Sequence, residues 1–309
     1  MDRIVVSDFS ADGWPDATVA ESQSTRYARE LEAGNILFFP QFPFGFPEAD
    51  RAFLLSVRQS SAGYHKNIAY RPRQDRVTGV EKRTPDQDRL LDVLRRFSRG
   101  NVEFVNRLLP VYAENRKVDY ASFRPIQEQG RALSPKARND LIHVDAFPTR
   151  PTNGDRILRV FTNIHPEQAR VWITTDPFDV IGPQYAAAAG LDTIADRARK
   201  KRGPSPLARF AAKNLGLRKL ARSHYDEFML GFHDFLKANE TFQRDCPKYQ
   251  WEFPPRTTWM CFLDSVPHAV LSGQYALEQT FFVARDSMVT PDKAPARVLE
   301  RLAGVSLTY

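Results

Sequence analysis

Cysteine is nearly absent from this chain. Its 309 residues include only Cys246 and Cys261, and neither belongs to a CxxC pair. That excludes a disulfide framework and makes a reducing cytoplasm the simplest compartment. Long apolar runs are missing too: no stretch reaches the roughly 18 residues that a membrane-spanning helix needs. The first residues, Met1-Asp2-Arg3-Ile4-Val5-Val6-Ser7-Asp8, carry early acids and do not read as a secretory signal. There is no internal repeat. Acidic residues are absent from one whole segment. Residues 197–222 hold ten Lys/Arg and no Asp/Glu, so at a net charge of +7 the rest of the chain sums to −3 (7 − 10). A mildly acidic body therefore carries one strongly basic segment, of the kind that attracts lipid or nucleic-acid phosphates.

What is present is enough for one large folded domain or two small ones. The hydrophobic share of 42% and aromatic share of 12% exclude a disordered chain. Strand-like and helical patterns alternate. Gly34 to Pro40 reads as a short buried strand ended by proline, Glu48 to Arg58 as a helix, and Pro85 to Tyr112 as helical with Gly100 between two apolar stripes. Tyr120 to Ile126 opens a strand-rich stretch. Arg156 to Ile164 and Ala169 to Thr175 read as a hairpin about the turn His165-Pro166-Glu167-Gln168. Helical periodicity then runs from about residue 184 to 250. Tyr225, Phe228, Met229, Phe232, Phe235 and Leu236 mark one amphipathic helix within it. Strands return at Trp259 to Leu263 and Tyr275 to Val283, and Ala294 to Leu302 closes with a helix. The expectation is a β-rich α+β domain spanning 1–309, with antiparallel strands, flanking helices and a basic helical insertion at about 184–250.

The chemistry is carried by histidine and aspartate. His143 and Asp145 lie two apart in an apolar run, Leu141 to Phe147. On a strand they share one face while Val144 turns away. His268 sits on a second apolar run, Val266 to Leu271, beside the turn signal Ser272-Gly273. Two imidazoles and one carboxylate form the facial set that holds non-heme Fe(II) with open coordination positions. His165, His224 and His233 read as surface or hydrogen-bonded histidines, and His65 has a possible substrate role. Asp264 and Ser265 are candidates for supporting His268. Trp172 reads as core.

These stretches resemble the Fe(II)/2-oxoglutarate-dependent oxygenases, and more narrowly the 3-deoxy-D-manno-oct-2-ulosonic acid (Kdo) hydroxylases. The similarity runs through Asn139 to Thr152 around His143-Val144-Asp145, Arg156 to Ile164, and Ser272 to Phe281. Weaker matches are Gly34 to Pro40 and His65-Lys66-Asn67-Ile68. The resemblance implies a double-stranded β-helix, or jelly roll. It also implies Fe(II) on His143, Asp145 and His268, with 2-oxoglutarate and O2 as cosubstrates. The implied reaction is hydroxylation at carbon 3 of Kdo in Kdo-lipid A, giving Ko, succinate and CO2.

Many such oxygenases place an arginine about ten residues after the distal histidine, to grip the far carboxylate of 2-oxoglutarate. Here that position is Glu278, followed by Gln279. Arg159, on the strand after the His-X-Asp and sharing a face with Asn163, is the expected replacement. Gln279 and Asn163 are expected beside it, with Arg156 and Arg150 as alternatives. Lys200, Lys201 and Arg202 are expected to meet an anionic membrane surface at the cytoplasmic face. Rival readings are an oxygenase acting on nucleic acid, for which aromatics are sparse among the basic residues, and a non-catalytic cupin-like binder. No nucleic-acid partner is expected.

Overall fold

The protein is described here by a computed structural model covering residues 1–7, 21–57, 67–80, 86–130, 134–200, 205 and 222–309. Eight strands form one mixed sheet in the order β1 (Arg3–Val5), β2 (Ile36–Phe39), β9 (Thr258–Phe262), β6 (Arg156–Asn163), β11 (Ala276–Val283), β5 (Arg116–Arg124), β3 (Ile68–Arg71) and β4 (Arg76–Thr78). A second sheet has the order β10 (His268–Ser272), β7 (Arg170–Thr174) and β8 (Tyr249–Phe253). All pairings are antiparallel except β1 with β2.

Side-chain alternation assigns each face of the large sheet a different task. Leu158, Val160, Met260, Phe262, Leu277 and Phe281 point to one side. There they join Leu31 of α1 (Glu21–Glu32), Leu54 of α2 (Glu48–Ser56), and Leu94, Phe97 and Phe104 of α3 (Gln87–Leu108). Phe161, Trp259 and Cys261 point to the other side and meet Trp172, Phe253 and Val270 of the small sheet. Aromatic packing is dense there: Phe253 and Trp259 stack at 3.9 Å, and Phe161 meets Trp172 edge-on at 4.8 Å. The small sheet covers the β2–β9–β6 half of this inner face. The β11–β5–β3 half is left to line a cleft.

The expected hairpin does not form. β6 pairs with β9 and β11, whereas β7 pairs with β8 and β10. Every residue of β6 is buried, as suits a central strand with neighbours on both edges. The turn after it carries the chain from one sheet to the other. Asn163 builds that turn: its amide donates to Gln168 O and Phe253 O, both at 2.9 Å, and its carbonyl accepts from His165 N.

Among the described residues, helices dominate the chain between the paired strands β7 and β8. They begin earlier than expected, with α4 (Phe178–Tyr185), followed by α5 (Leu191–Lys200), α6 (His224–Ala238) and α7 (Glu240–Asp245). α6 starts on a capping box in which Ser223 and Asp226 bond reciprocally. Its apolar residues Tyr225, Phe228, Met229, Phe232 and Leu236 are buried with Ile142, Val144 and the closing helix α8 (Pro295–Ala303). Gly100 lies inside α3 and does not interrupt it.

One buried ion pair fixes the segment that leads into β10. Arg156 Nε donates to Asp264 at 2.6 Å and its Nη2 to Ser265 Oγ at 2.7 Å, while the other Asp264 oxygen accepts from Ile157 N. Asp264 and Ser265 thus position the loop before His268 rather than touching its ring. Arg156 is fully buried on the side of β6 away from the cleft, which removes it as a cosubstrate ligand. Removing one partner of such a pair leaves a buried charge uncompensated. Asp264→Ala is therefore expected to cost about 3–5 kcal/mol in urea unfolding; a loss under about 1 kcal/mol would show that the pair does not anchor this loop.

Candidate metal centre

His143 and Asp145 lie on an extended segment rather than a full strand. A single antiparallel bridge joins His143 to His268, with reciprocal backbone bonds of 3.1 and 2.9 Å. Asp145 N donates to Leu263 O at 2.8 Å, which holds the extended geometry on which the shared face of His143 and Asp145 depends. One ligand atom from each of His143, Asp145 and His268 lies within 4.8 Å of the others, and all three residues are buried.

The hydrogen bonds set the tautomers. His143 Nδ1 is 2.7 Å from Leu141 O and His268 Nδ1 is 3.0 Å from Val266 O. A carbonyl only accepts, so each Nδ1 carries the proton and each Nε2 keeps a lone pair for a metal. Burial keeps both rings neutral. It pushes His268 down to about 4, against the pull of Asp145, and His143 well below its ordinary value, with His268 reinforcing the effect. Burial alone would raise the Asp145 carboxyl, but Arg159 and His268 outweigh it and hold Asp145 below the usual range. Two neutral imidazoles and an ionised carboxylate fit Fe(II) and leave positions for further oxygen ligands. Trp172 stacks on the His268 ring at 5.2 Å, so its place in the core also braces a ligand.

The three residues lie by a cleft of about 800 Å³. Asp145, Arg159, Glu278 and Arg124 in its wall belong to a chain of alternating charges that continues behind it to Glu128 and Arg170. Asp145 accepts from Arg159 (2.8 Å), Arg159 meets Glu278 (2.5 Å), Glu278 meets Arg124 (2.8 Å), Arg124 meets Glu128 (3.3 Å) and Glu128 meets Arg170 (3.6 Å). Burial works against the ionised Glu278, but Arg124 and Arg159 keep its carboxyl below the usual range.

Several expected site residues are brought to the cleft and others are not. Arg159, Glu278 and Arg150 line it, with Arg150 paired to Asp119. Gln279 turns to the helix-covered face, where its amide donates to Asp119 O and Thr280 O, so strand parity removes it from cosubstrate binding. Asn163 is committed to the β6–β7 turn described above. Lys200 is an exposed end of α5. His65, Lys201 and Arg202 lie outside the described residues, although Asn67, within the His65–Ile68 motif, lines the cleft. Arg124 and Lys237 line the cleft without having been singled out, and so does His233, read from the sequence as a surface or hydrogen-bonded histidine. Arg124 was legible by parity once β5 was placed. His233 was hidden by its place in an amphipathic helix; its Nδ1 is 2.7 Å from Val144 O and its ring meets His143 edge-on at 4.8 Å.

Comparison with known proteins gives a consistent result. A family profile described as 3-deoxy-D-manno-oct-2-ulosonic acid (Kdo) hydroxylase matches residues 15–306. The apo structure of the Kdo hydroxylase KdoO, a non-heme Fe(II) α-ketoglutarate-dependent dioxygenase, is 33% identical with a TM-score of 0.81, over 100% of this chain and 98% of that one. KdoO in complex with α-ketoglutarate and Fe(III) is 32% identical with a TM-score of 0.80, over the same shares of both chains. Its complex with succinate and Fe(III) is 32% identical with a TM-score of 0.79, over 99% and 97%. No curated protein sequence matches. With a metal triad of the right chemistry, a sheet-rich fold shared with KdoO and a family match along nearly its whole length, the chain belongs to the Kdo hydroxylase family of Fe(II)/2-oxoglutarate-dependent dioxygenases.

Proposed function

We propose that this protein hydroxylates carbon 3 of a Kdo residue in Kdo-lipid A, giving Ko. The observation that carries the reading is the buried His143–Asp145–His268 triad beside a polar cleft, in a chain of this family. When bound, Fe(II) with 2-oxoglutarate and O2 supplies the oxidising power to replace C–H by C–OH, with succinate and CO2 as coproducts. The protein's own part is to orient and to exclude. Carbon 3 of Kdo is a methylene, so the reaction needs no leaving group. A cleft of about 800 Å³ suits a small dicarboxylate and a sugar, with the acyl chains left outside.

Arg159 is the residue for the far carboxylate of 2-oxoglutarate. Its planar fork now spans Asp145 and Glu278. Were Fe(II) held by His143, Asp145 and His268, it would neutralise the Asp145 carboxylate, and Arg159 would be freed to pair with a cosubstrate carboxylate while Glu278 keeps it in place. Arg124, on the far side of Glu278, is the neighbouring cation.

Membrane contact is supported by charge. The basic segment ends at Arg222, and Arg222 lines the cleft, donating to Pro148 O. One cation of the segment thus belongs to the cleft that a glycolipid would enter. Within it, Arg197 is paired with Glu227 and Arg199 with Asp196, while Lys200 is exposed. No described helix is long and apolar enough to cross a membrane, so contact would be peripheral and on the cytoplasmic face of the inner membrane, where Kdo-lipid A is assembled.

Three outcomes test this reading. Expressed in a host that makes Kdo-lipid A, with iron available, the protein is expected to add one oxygen atom to the Kdo portion, seen by mass spectrometry of the lipid. A gain on the acyl chains, or none while 2-oxoglutarate is consumed, overturns the substrate. Arg159→Ala is expected to raise the 2-oxoglutarate KM at least about tenfold, the worth of one charged contact, while Co(II) binding survives; Asp145→Ala should lose Co(II) binding. An unchanged KM in Arg159→Ala transfers the role to another cation of the cleft. Binding to anionic vesicles is expected to fall as salt rises, and to fall again when Lys200, Lys201 and Arg202 become Gln; salt-independent binding or none removes the membrane contact.

A further inference from the structure

Helix α6 has two working faces. Tyr225, Phe228, Met229, Phe232 and Leu236 are packed into the helical core. Leu230, His233, Asp234 and Lys237, spaced at i, i+3, i+4 and i+7, all line the cleft beside the metal ligands. That spacing makes one stripe along the helix. Three of the four are polar or charged; Leu230, His233 and Asp234 are half-buried, and Lys237 is buried, where a lysine is rare without a partner.

His233 has a defined chemical state. Its Nδ1 donates to Val144 O, the carbonyl between the two ligands His143 and Asp145. The neutral ring therefore offers Nε2 as an acceptor, one ring away from the metal. Further along the stripe, Asp234 is paired with Lys136 at 2.6 Å, and Lys237 Nζ donates to Lys136 O at 3.1 Å. Lys237 lines the same cleft as His143 and Asp145, so its positive charge belongs to the wall beside the metal ligands.

We propose that this stripe of α6 is the substrate-reading wall of the cleft: His233 Nε2 accepts a hydrogen bond from a sugar hydroxyl, and the Lys237 ammonium holds the sugar carboxylate. The ligand class is an acidic sugar with a hydroxyl near its carboxylate, so the inference rests on the Kdo reading above and specifies how it is met. Both contacts come from the helical chain between β7 and β8, not from the strands that carry the metal ligands. Substrate selection and metal binding would then reside on different elements.

The test is equilibrium binding of Kdo-lipid A and of Kdo-free lipid A, in detergent micelles, to protein loaded with Co(II) and 2-oxoglutarate. Wild type is expected to prefer Kdo-lipid A. His233→Ala and Lys237→Met are each expected to weaken Kdo-lipid A binding about tenfold, the worth of one polar contact, with Kdo-free lipid A unaffected. The Co(II) absorption spectrum should stay that of wild type in both variants, which a purely structural role of His233 under Val144 would not allow. Equal binding of the two lipids by wild type overturns the Kdo reading and this inference together. A wild-type preference that survives in both variants overturns the inference alone. A shifted Co(II) spectrum in His233→Ala with the preference intact would make His233 a support for the metal ligands and remove its substrate contact.

Discussion

A chain of buried charges holds the working half of this molecule together. Asp145, Arg159, Glu278, Arg124, Glu128 and Arg170 alternate in sign, and each is within ion-pair distance of the next. Removing any of these groups from water is costly, and only its neighbours make the burial tolerable. The chain crosses β6, β11 and β5 and ends on β7, so it ties the large sheet to the small one and terminates on a metal ligand. Burial pushes Arg170, at the far end, down to about 10 against the opposing pull of Glu128, showing how dry that end is. Specificity of arrangement follows: loss of an interior member strands two partners, and loss of an end member strands one.

This chain also accounts for the missing arginine. An acid at position 278 conflicts with a carboxylate ligand when considered alone. Glu278 in fact sits between two guanidiniums, both in the wall of the same cleft. Neighbouring strands thus place two cations beside position 278, and the acid holds the pair in place. Absence of the usual residue therefore gives no support to a non-catalytic binder here.

Much of this was readable from the sequence where periodicity or parity carried the information. His143 and Asp145 share a face because an extended chain alternates, whether or not it forms a full strand. The buried strand before Pro40, helix α3, the apolar stripe of α6 and the closing helix follow from hydrophobic spacing. Pairing was not readable. A short turn after β6 looks like a hairpin from either side, and only the demand of a fully buried β6 for two large-sheet neighbours sends the next strand elsewhere. The partners of Asp264 and Glu278 were equally hidden, because buried ions are settled across strands far apart in sequence. Lys237 escaped notice and the place of His233 at the cleft was missed because a polar residue in an amphipathic helix reads as solvent-facing, and nothing local says that the polar side meets a cleft.

The bridge between His143 and His268 also bears on how the protein reaches its native state. These two ligands are distant in sequence, and their backbones exchange both hydrogen bonds. Closing so long a loop costs entropy that must be repaid by strand pairing and packing across the two sheets. The complete ligand set therefore exists only where this long-range bridge has closed; a chain lacking it carries the His143–Asp145 part of the set alone.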